Sequence, residues 1–256
     1  MYKISLEGYS FHGLLKEGMM DIFHQLETLK YRYGLDAIGI WNGFLESTDA
    51  DYVKKVRRAL DERGISVPNI AFDGCHVCCD DPEEGESNYK RALANLEMSA
   101  RLGAKSVRID WGVRRDVLTE AEEELILARY REYCEIGRKN GFIVCVENHF
   151  GAARNPVLMK KVCDEMNDPM YKVLLHVGGW QTGFDNGDEI IAPYAAHTHI
   201  PMAIAESRMA EVLALLKSVN YPGYIGLEHH SAKNEYVMVE YHLAVIRRAM
   251  AEFGEG

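Results

Sequence analysis

Four short apolar runs in the second half of the chain each end in a side chain able to bind a metal ion. They are FIVCVE at Glu147, KVLLH at His176, YAAHTH at His199 and YIGLE at Glu228. Runs this short and aliphatic read as parallel strands buried on both faces. Helix-like segments separate them, as parallel crossovers require. Closed into a barrel, such strands bring their C-terminal ends to one face, where barrel enzymes keep their chemistry. The histidines point the same way. Of ten, eight (His12, His76, His149, His176, His197, His199, His229, His230) fall at or just after a predicted strand end. Windows of about five residues at eight strand ends cover only roughly a sixth of such a chain.

Strand and helix signals alternate from end to end. Strands are predicted at Lys3 to Leu6, Ala37 to Trp41, Ser66 to Phe72, Ser106 to Asp110, Phe142 to Glu147, Lys172 to His176, Ala195 to His199 and Tyr224 to Glu228. A helical pattern follows each. In TEAEEELILARYREYCEIGRKNG, Thr119 and Glu122 have capping-box spacing and Gly141 stops the helix. NPVLMKKVCDEM opens on Asn155 as cap with Pro156 in the first turn. Gly34, Gly64, Gly103 and Gly141 stand where helices hand over to strands. Eight such pairs in 256 residues predict a single (β/α)8 TIM barrel spanning 1–256. No Gly-x-Gly-x-x-Gly follows the first strand, which removes the commonest signature of an open, dinucleotide-binding sheet.

The formal net charge of −10 disfavours nucleic acid, whose binding rests on phosphate neutralisation. No apolar run is long enough to cross a membrane, and the opening MYKISLEGYSFHG lacks the pattern of a signal peptide. Adjacent Cys78 and Cys79 are poor material for a disulfide framework, so a reducing cytoplasm is expected. GCHVCC invites a zinc reading, but structural zinc wants a second such knuckle, and the sequence has none.

The set Glu147, His176, His199 and Glu228 suits a divalent ion. Glu147 and Glu228 could also move a proton, because a C–H next to a metal-polarised carbonyl is acidified. His12, Asp110, His149 and His197 are expected at the same mouth as substrate-bonding or supporting groups, with His229 and His230 close by. The indoles of Trp111 and Trp180, and less so Trp41, are candidates to cover the apolar face of a sugar.

At these strand ends the chain resembles the xylose-isomerase-like superfamily of sugar isomerases and epimerases, inosose dehydratases and endonuclease IV. The stretch DDPEEGESNYKRALANLEMSARLGAKSVRIDWG looks like that group's third helix and fourth strand. The group places Glu, Asp, His and Glu around one divalent metal at strands five to eight. VENHF matches with Glu147, HTHIP with His199 and YIGLEHH with Glu228, while His176 stands where the group often has Asp. That exchange removes a negative charge, favouring Mn2+, Zn2+, Co2+ or Fe2+ over Mg2+. An arginine usual shortly after the strand-seven His has no match; Arg208 lies farther along. The resemblance implies a metal-dependent isomerase or epimerase acting on a small carbohydrate or polyol by proton transfer beside a carbonyl. A lyase of the dehydratase or C-glycoside deglycosidase kind, acting on a keto-sugar or inosose, is the alternative. An endonuclease IV-like hydrolase and a non-catalytic ligand-binding barrel rank below it. The partners expected are one small molecule and, in an oligomer, further copies of the chain.

Overall fold

The computed structural model describes residues 2–255. Its elements in chain order are β1 (Ile4–Glu7), α1 (His12–Lys16), α2 (Ile22–Glu27), β2 (Ala37–Trp41), α3 (Ala50–Arg63), β3 (Ser66–Phe72), α4 (Pro82–Leu102), β4 (Ser106–Ile109), α5 (Glu120–Asn140), β5 (Ile143–Glu147), α6 (Pro156–Met166), β6 (Tyr171–His176), α7 (Gly187–Ile191), β7 (Ala195–Pro201), α8 (Met202–Ser207), α9 (Met209–Ser218), β8 (Ile225–Glu228) and α10 (Glu235–Glu255). The strands form one closed parallel barrel in sequence order, with β8 pairing back onto β1. This is the predicted (β/α)8 fold. No helix among the described residues is long and apolar enough to cross a membrane.

Side chains alternate along each strand between two faces. One set, including Leu6, Ile40, Val107, Val146, Leu175 and Leu227, joins the hydrophobic core. The other set is unusually polar. Glu7, Trp41, Arg108, Glu147, His176, His199 and Glu228 line a cavity inside the barrel mouth. Deeper in, the Ser106 hydroxyl donates to Asn69 Oδ1 at 2.9 Å. Two glycines make room for this polar interior. A Cβ on Gly39 of β2 would run into the Glu7 carboxylate, and one on Gly226 of β8 would meet the Thr198 carbonyl first and Glu7 behind it.

The helix ends follow the sequence signals. Thr119 and Glu122 form the predicted capping box at the start of α5. Asn155 Oδ1 accepts the Val157 and Leu158 N–H groups at the start of α6. Gly64, Gly103 and Gly141 close α3, α4 and α5 in left-handed conformation, and Gly34 has φ 63°.

Strand bounds differ from expectation by one or two residues. β1 runs one residue later and so includes Glu7, and β7 runs on to Pro201. The register of β6 against β7 shifts between Val173 and Leu174, after which Leu174 faces His197 and His176 faces His199. The extra β7 residue thereby aligns the two strand-end histidines. The helix expected between β6 and β7 is short: five residues in α7, after a loop over 177–186.

Candidate active site

The structure brings Glu147, His176, His199 and Glu228 together at the floor of the cavity. His176 Nδ1 lies 3.2 Å from Glu147 Oε1 and 3.6 Å from Glu228 Oε2. His199 Nδ1 lies 3.1 Å and 3.2 Å from the same two oxygens. Donors about 2.0–2.2 Å from a tetrahedral ion stand roughly 3.3–3.6 Å apart, so this spacing fits a divalent metal. The chemistry fits as well, with two carboxylates and two imidazoles converging in a buried place.

The charges are set by neighbours. Burial pushes the Glu147 carboxyl up, but Arg108, His199 and His176 outweigh it and hold it well below the usual carboxylate range. Burial acts the same way on Glu228, and His199, His230 and His176 likewise win. At His199 burial disfavours the imidazolium, yet Glu228 and Glu147 drive its pKa well above normal. Without metal, these neighbours favour the ionised form of both carboxylates and the protonated form of His199.

Supporting groups hold these four side chains. Asn148 clamps the end of β6, accepting the His176 N–H at 2.7 Å and donating to the His176 carbonyl at 2.8 Å. His230 Nε2 sits 2.7 Å from Glu228 Oε2, and its ring stacks on His176. Behind His199, Glu7 Oε2 lies 3.4 Å from Nε2, long for a hydrogen bond but close enough to favour a proton there. That leaves Nδ1 facing the glutamates, in the manner of carboxylate–histidine–metal arrangements. Glu7 also accepts from Ser5 at 2.6 Å and pairs with His197 Nε2 at 3.0 Å. Burial would raise its pKa, but the two histidines bring it down to about 2.

Arg108 ties three carboxylates into one network. Its Nη1 donates to Asp73 Oδ1 at 2.9 Å and Asp110 Oδ2 at 2.8 Å. Its Nε lies 3.0 Å from Glu147 Oε2, an ion pair whose N–H points off the line of a hydrogen bond. Burial works against the guanidinium charge, and Asp110, Glu147 and Asp73 more than restore it. Asp73, Asp110 and His149 lie close enough to one another to suggest a second ion site. Arg108 already occupies that position, so the group is an ion-pair network.

The other predicted residues divide. His149 lines the cavity, with Nδ1 2.9 Å from Asp110 Oδ2. Asp110 itself is buried behind it. His197 is buried and reaches the site only through Glu7. Three candidates for substrate contact fall elsewhere. Trp111 is 1 % exposed, and its N–H points to the Tyr171 hydroxyl at 3.3 Å, so it packs in the core. Trp180 donates to buried Asp188 at 2.8 Å and stands outside the cavity. His12 stacks on the outer side of the site's aromatic wall, 4.3 Å from the Tyr9 ring, and does not line the cavity. Trp41, given less weight from sequence, is the indole that does line it, edge-on to Tyr9. Arg208 pairs with Asp188 and Glu211, away from the centre. Among the described residues no cysteine belongs to a cluster of three or more candidate metal ligands.

Sequence reasoning missed Glu7, Tyr9, Asp73, Arg108 and Asn148. A signal for two of them was present. KISLE ends in a carboxylate just as the four chosen runs do, and SVRID sets an arginine in the middle of a strand.

A (β/α)8 barrel with a buried carboxylate–imidazole centre at the C-terminal ends of its strands is thus defined by fold and site together. Residues 29–249 match the family model for the xylose isomerase-like TIM barrel, and the chain belongs to that family. No curated protein sequence matches it. Among solved structures it is similar to the 3-keto-D-glucoside 4-epimerase of E. coli, at TM-score 0.79 and 16% identity over 97% of this chain and 100% of that one. A xylose isomerase-like TIM barrel protein of Mycobacterium smegmatis, solved with magnesium, gives 0.76 and 17% over 98% of each chain. A Bacillus anthracis protein described as a probable 3-DHS dehydratase gives 0.72 and 14% over 96% and 98%. At these identities the likeness is one of fold.

Proposed function

We propose that this protein is a metal-dependent isomerase or epimerase that moves a proton next to the carbonyl of a small carbohydrate. The observation that carries this reading is the pair Glu147 and Glu228, joined through His176 and His199 at the floor of a cavity of about 350 Å³. A divalent ion held by those four side chains would polarise a sugar oxygen and acidify the neighbouring C–H. The two glutamates, on strands β5 and β8, are held toward the ionised form that a general base requires. One would remove the proton, and the other, after taking up a proton from solvent, would return one to the opposite face of the reacting carbon. Trp41 and Tyr9 offer an apolar wall for the ring face. Among the structural relatives, the E. coli protein is named as an epimerase of a keto-glucoside, which agrees with this chemistry.

A second reading, a lyase, rests on the Asp110–His149 pair. Burial lowers the His149 pKa, but the hydrogen bond to Asp110 and the charge of Glu147 raise it overall. An imidazolium at the cavity edge is suited to protonate a departing hydroxyl, and β-elimination begins with the same loss of a proton beside a carbonyl. NMR of neutral keto-sugars incubated in D2O with metal-loaded protein separates the two. Deuterium incorporation with a changed stereocentre or carbonyl position is the expected result. Loss of water or aglycone would transfer the assignment to the lyase. No exchange with any keto-sugar would overturn both.

Metal loading should also be coupled to protons. His199 must lose its proton to become a ligand, and its pKa in the free protein is well above the usual value. Apparent affinity is therefore expected to rise about tenfold per pH unit while His199 remains protonated in the free protein. Calorimetric titration in buffers of different ionisation enthalpy should show release of about one proton per ion. A pH-independent affinity with no proton release would remove His199 from the ligand set.

A further inference from the structure

We infer that this cavity takes an uncharged sugar or polyol and turns away phosphorylated and carboxylated ones. The inference rests on the proposed reaction site and narrows its substrate class. Four carboxylates line the cavity, those of Glu7, Asp73, Glu147 and Glu228, and Arg108 is the one Lys or Arg among the described lining residues. Arg108 is 4 % exposed and already holds the Phe72 carbonyl, Asp73, Asp110 and Glu147, so its charge is spent inside the protein. His149 and His230 each sit against one carboxylate, Asp110 and Glu228, rather than facing open space. A divalent ion at the centre and Arg108 would together set three positive charges against the four lining carboxylates.

Hydrogen-bonding character agrees with the charge. The lining presents four carboxylates as acceptors, while its one guanidinium is already engaged by protein groups. Sugar hydroxyls can donate to such acceptors, whereas a phosphate dianion or a carboxylate brings only further acceptors. At about 350 Å³ the cavity lies near the small end of ligand sites, which run from about 300 to 1,000 Å³. A single polyhydroxylated ring standing against Trp41 and Tyr9 suits that space. Asp73 is the residue placed to select. Its side chain is 42 % exposed, with Oδ2 accepting the Trp41 N–H at 2.8 Å and Oδ1 on Arg108. Its charge therefore stands at the entrance side of the wall a substrate would meet.

The test uses matched pairs: D-fructose with D-fructose 6-phosphate, and D-glucose with D-glucuronate, plus inorganic phosphate alone. Binding is read by intrinsic tryptophan fluorescence and thermal shift on both metal-free and metal-loaded protein, and exchange by NMR in D2O. The neutral member of each pair should bind at least about tenfold more tightly. Phosphate should leave the metal-free protein unshifted. Asp73→Asn should move the anion-to-neutral affinity ratio upward about fivefold, since one like charge is removed from a partly screened site. Equal or tighter binding of either anionic member by the wild type overturns the inference. If fructose 6-phosphate exchanges its proton while fructose does not, the reaction stands and the neutral substrate class fails. If no member of either pair binds or exchanges, both fail.

Discussion

Glu228→Gln is expected to lower turnover by on the order of 10²-fold or more while most of the metal remains bound. The substitution keeps the size of the side chain and an oxygen ligand, but an amide cannot accept a proton as a carboxylate does. Glu228 is the exchange most open to interpretation, because its Oε2 faces His176, His199 and His230 together. Metal analysis beside single-turnover measurements decides between its two roles. If Glu228 only holds the ion, activity will track occupancy and return with excess metal. If it is also the base, saturating metal will not restore turnover. Glu147→Gln tests the partner, with one added consequence: its Oε2 lies against Arg108, so part of any loss there will reflect a disturbed ion pair. In a two-base reaction each variant can still exchange the proton on the face its remaining carboxylate serves. Full turnover in both metal-saturated variants would exclude carboxylate acid–base catalysis and shift attention to His149.

The barrel was legible because its strands are short apolar runs at helix-sized intervals, and the histidines marked one end of them. The floor of the site was legible for the same reason: Glu147, His176, His199 and Glu228 each terminate such a run. The indoles were not. A tryptophan just past a strand end can turn into the cavity or under the loop, and nothing local fixes which. Trp111 finds the Tyr171 hydroxyl, 60 positions away, and Trp180 finds Asp188 across the turn of its own loop, eight positions on, and those partners draw them out of the site. Trp41 is held at the cavity wall by Asp73, 32 positions away. The Arg108 network was hidden by the reading of these strands as apolar on both faces. The inner face is polar, and a lone arginine in SVRI only makes sense once Asp73, Asp110 and Glu147 are seen around it. Glu7 was overlooked because it ends the first run, far in sequence from the other candidates. It is brought to His197 and His199 only when β1 closes the barrel against β8.

Arg108→Met should destabilise the metal-free protein by roughly 3–5 kcal/mol, the usual cost of breaking a buried ion pair from one side. Asp110 and Glu147 are each 2 % exposed, and without the guanidinium they would lose the permanent counter-charge they share, keeping only their histidine neighbours. For a chain of this size that corresponds to a fall in melting temperature on the order of 10 °C. The deficit should depend on pH in a definite direction. In the wild type Arg108 holds the folded-state pKa of Glu147 well below its reference of 4.5. The resulting stability is fully present above that reference value and is lost as pH falls through the folded pKa. In the variant, burial acts with less opposition and the folded pKa of Glu147 rises. Protonation then relieves the uncompensated charge. The difference between the two proteins should thus be largest near neutral pH and shrink as pH drops below about 4.5. Thermal unfolding followed by circular dichroism from pH 3 to pH 8, with chelator present to keep the site metal-free, measures it. A variant that melts with the wild type across that range would mean the three carboxylates find another counter-charge. Arg108 would then no longer be the group that sets the charge state of Glu147.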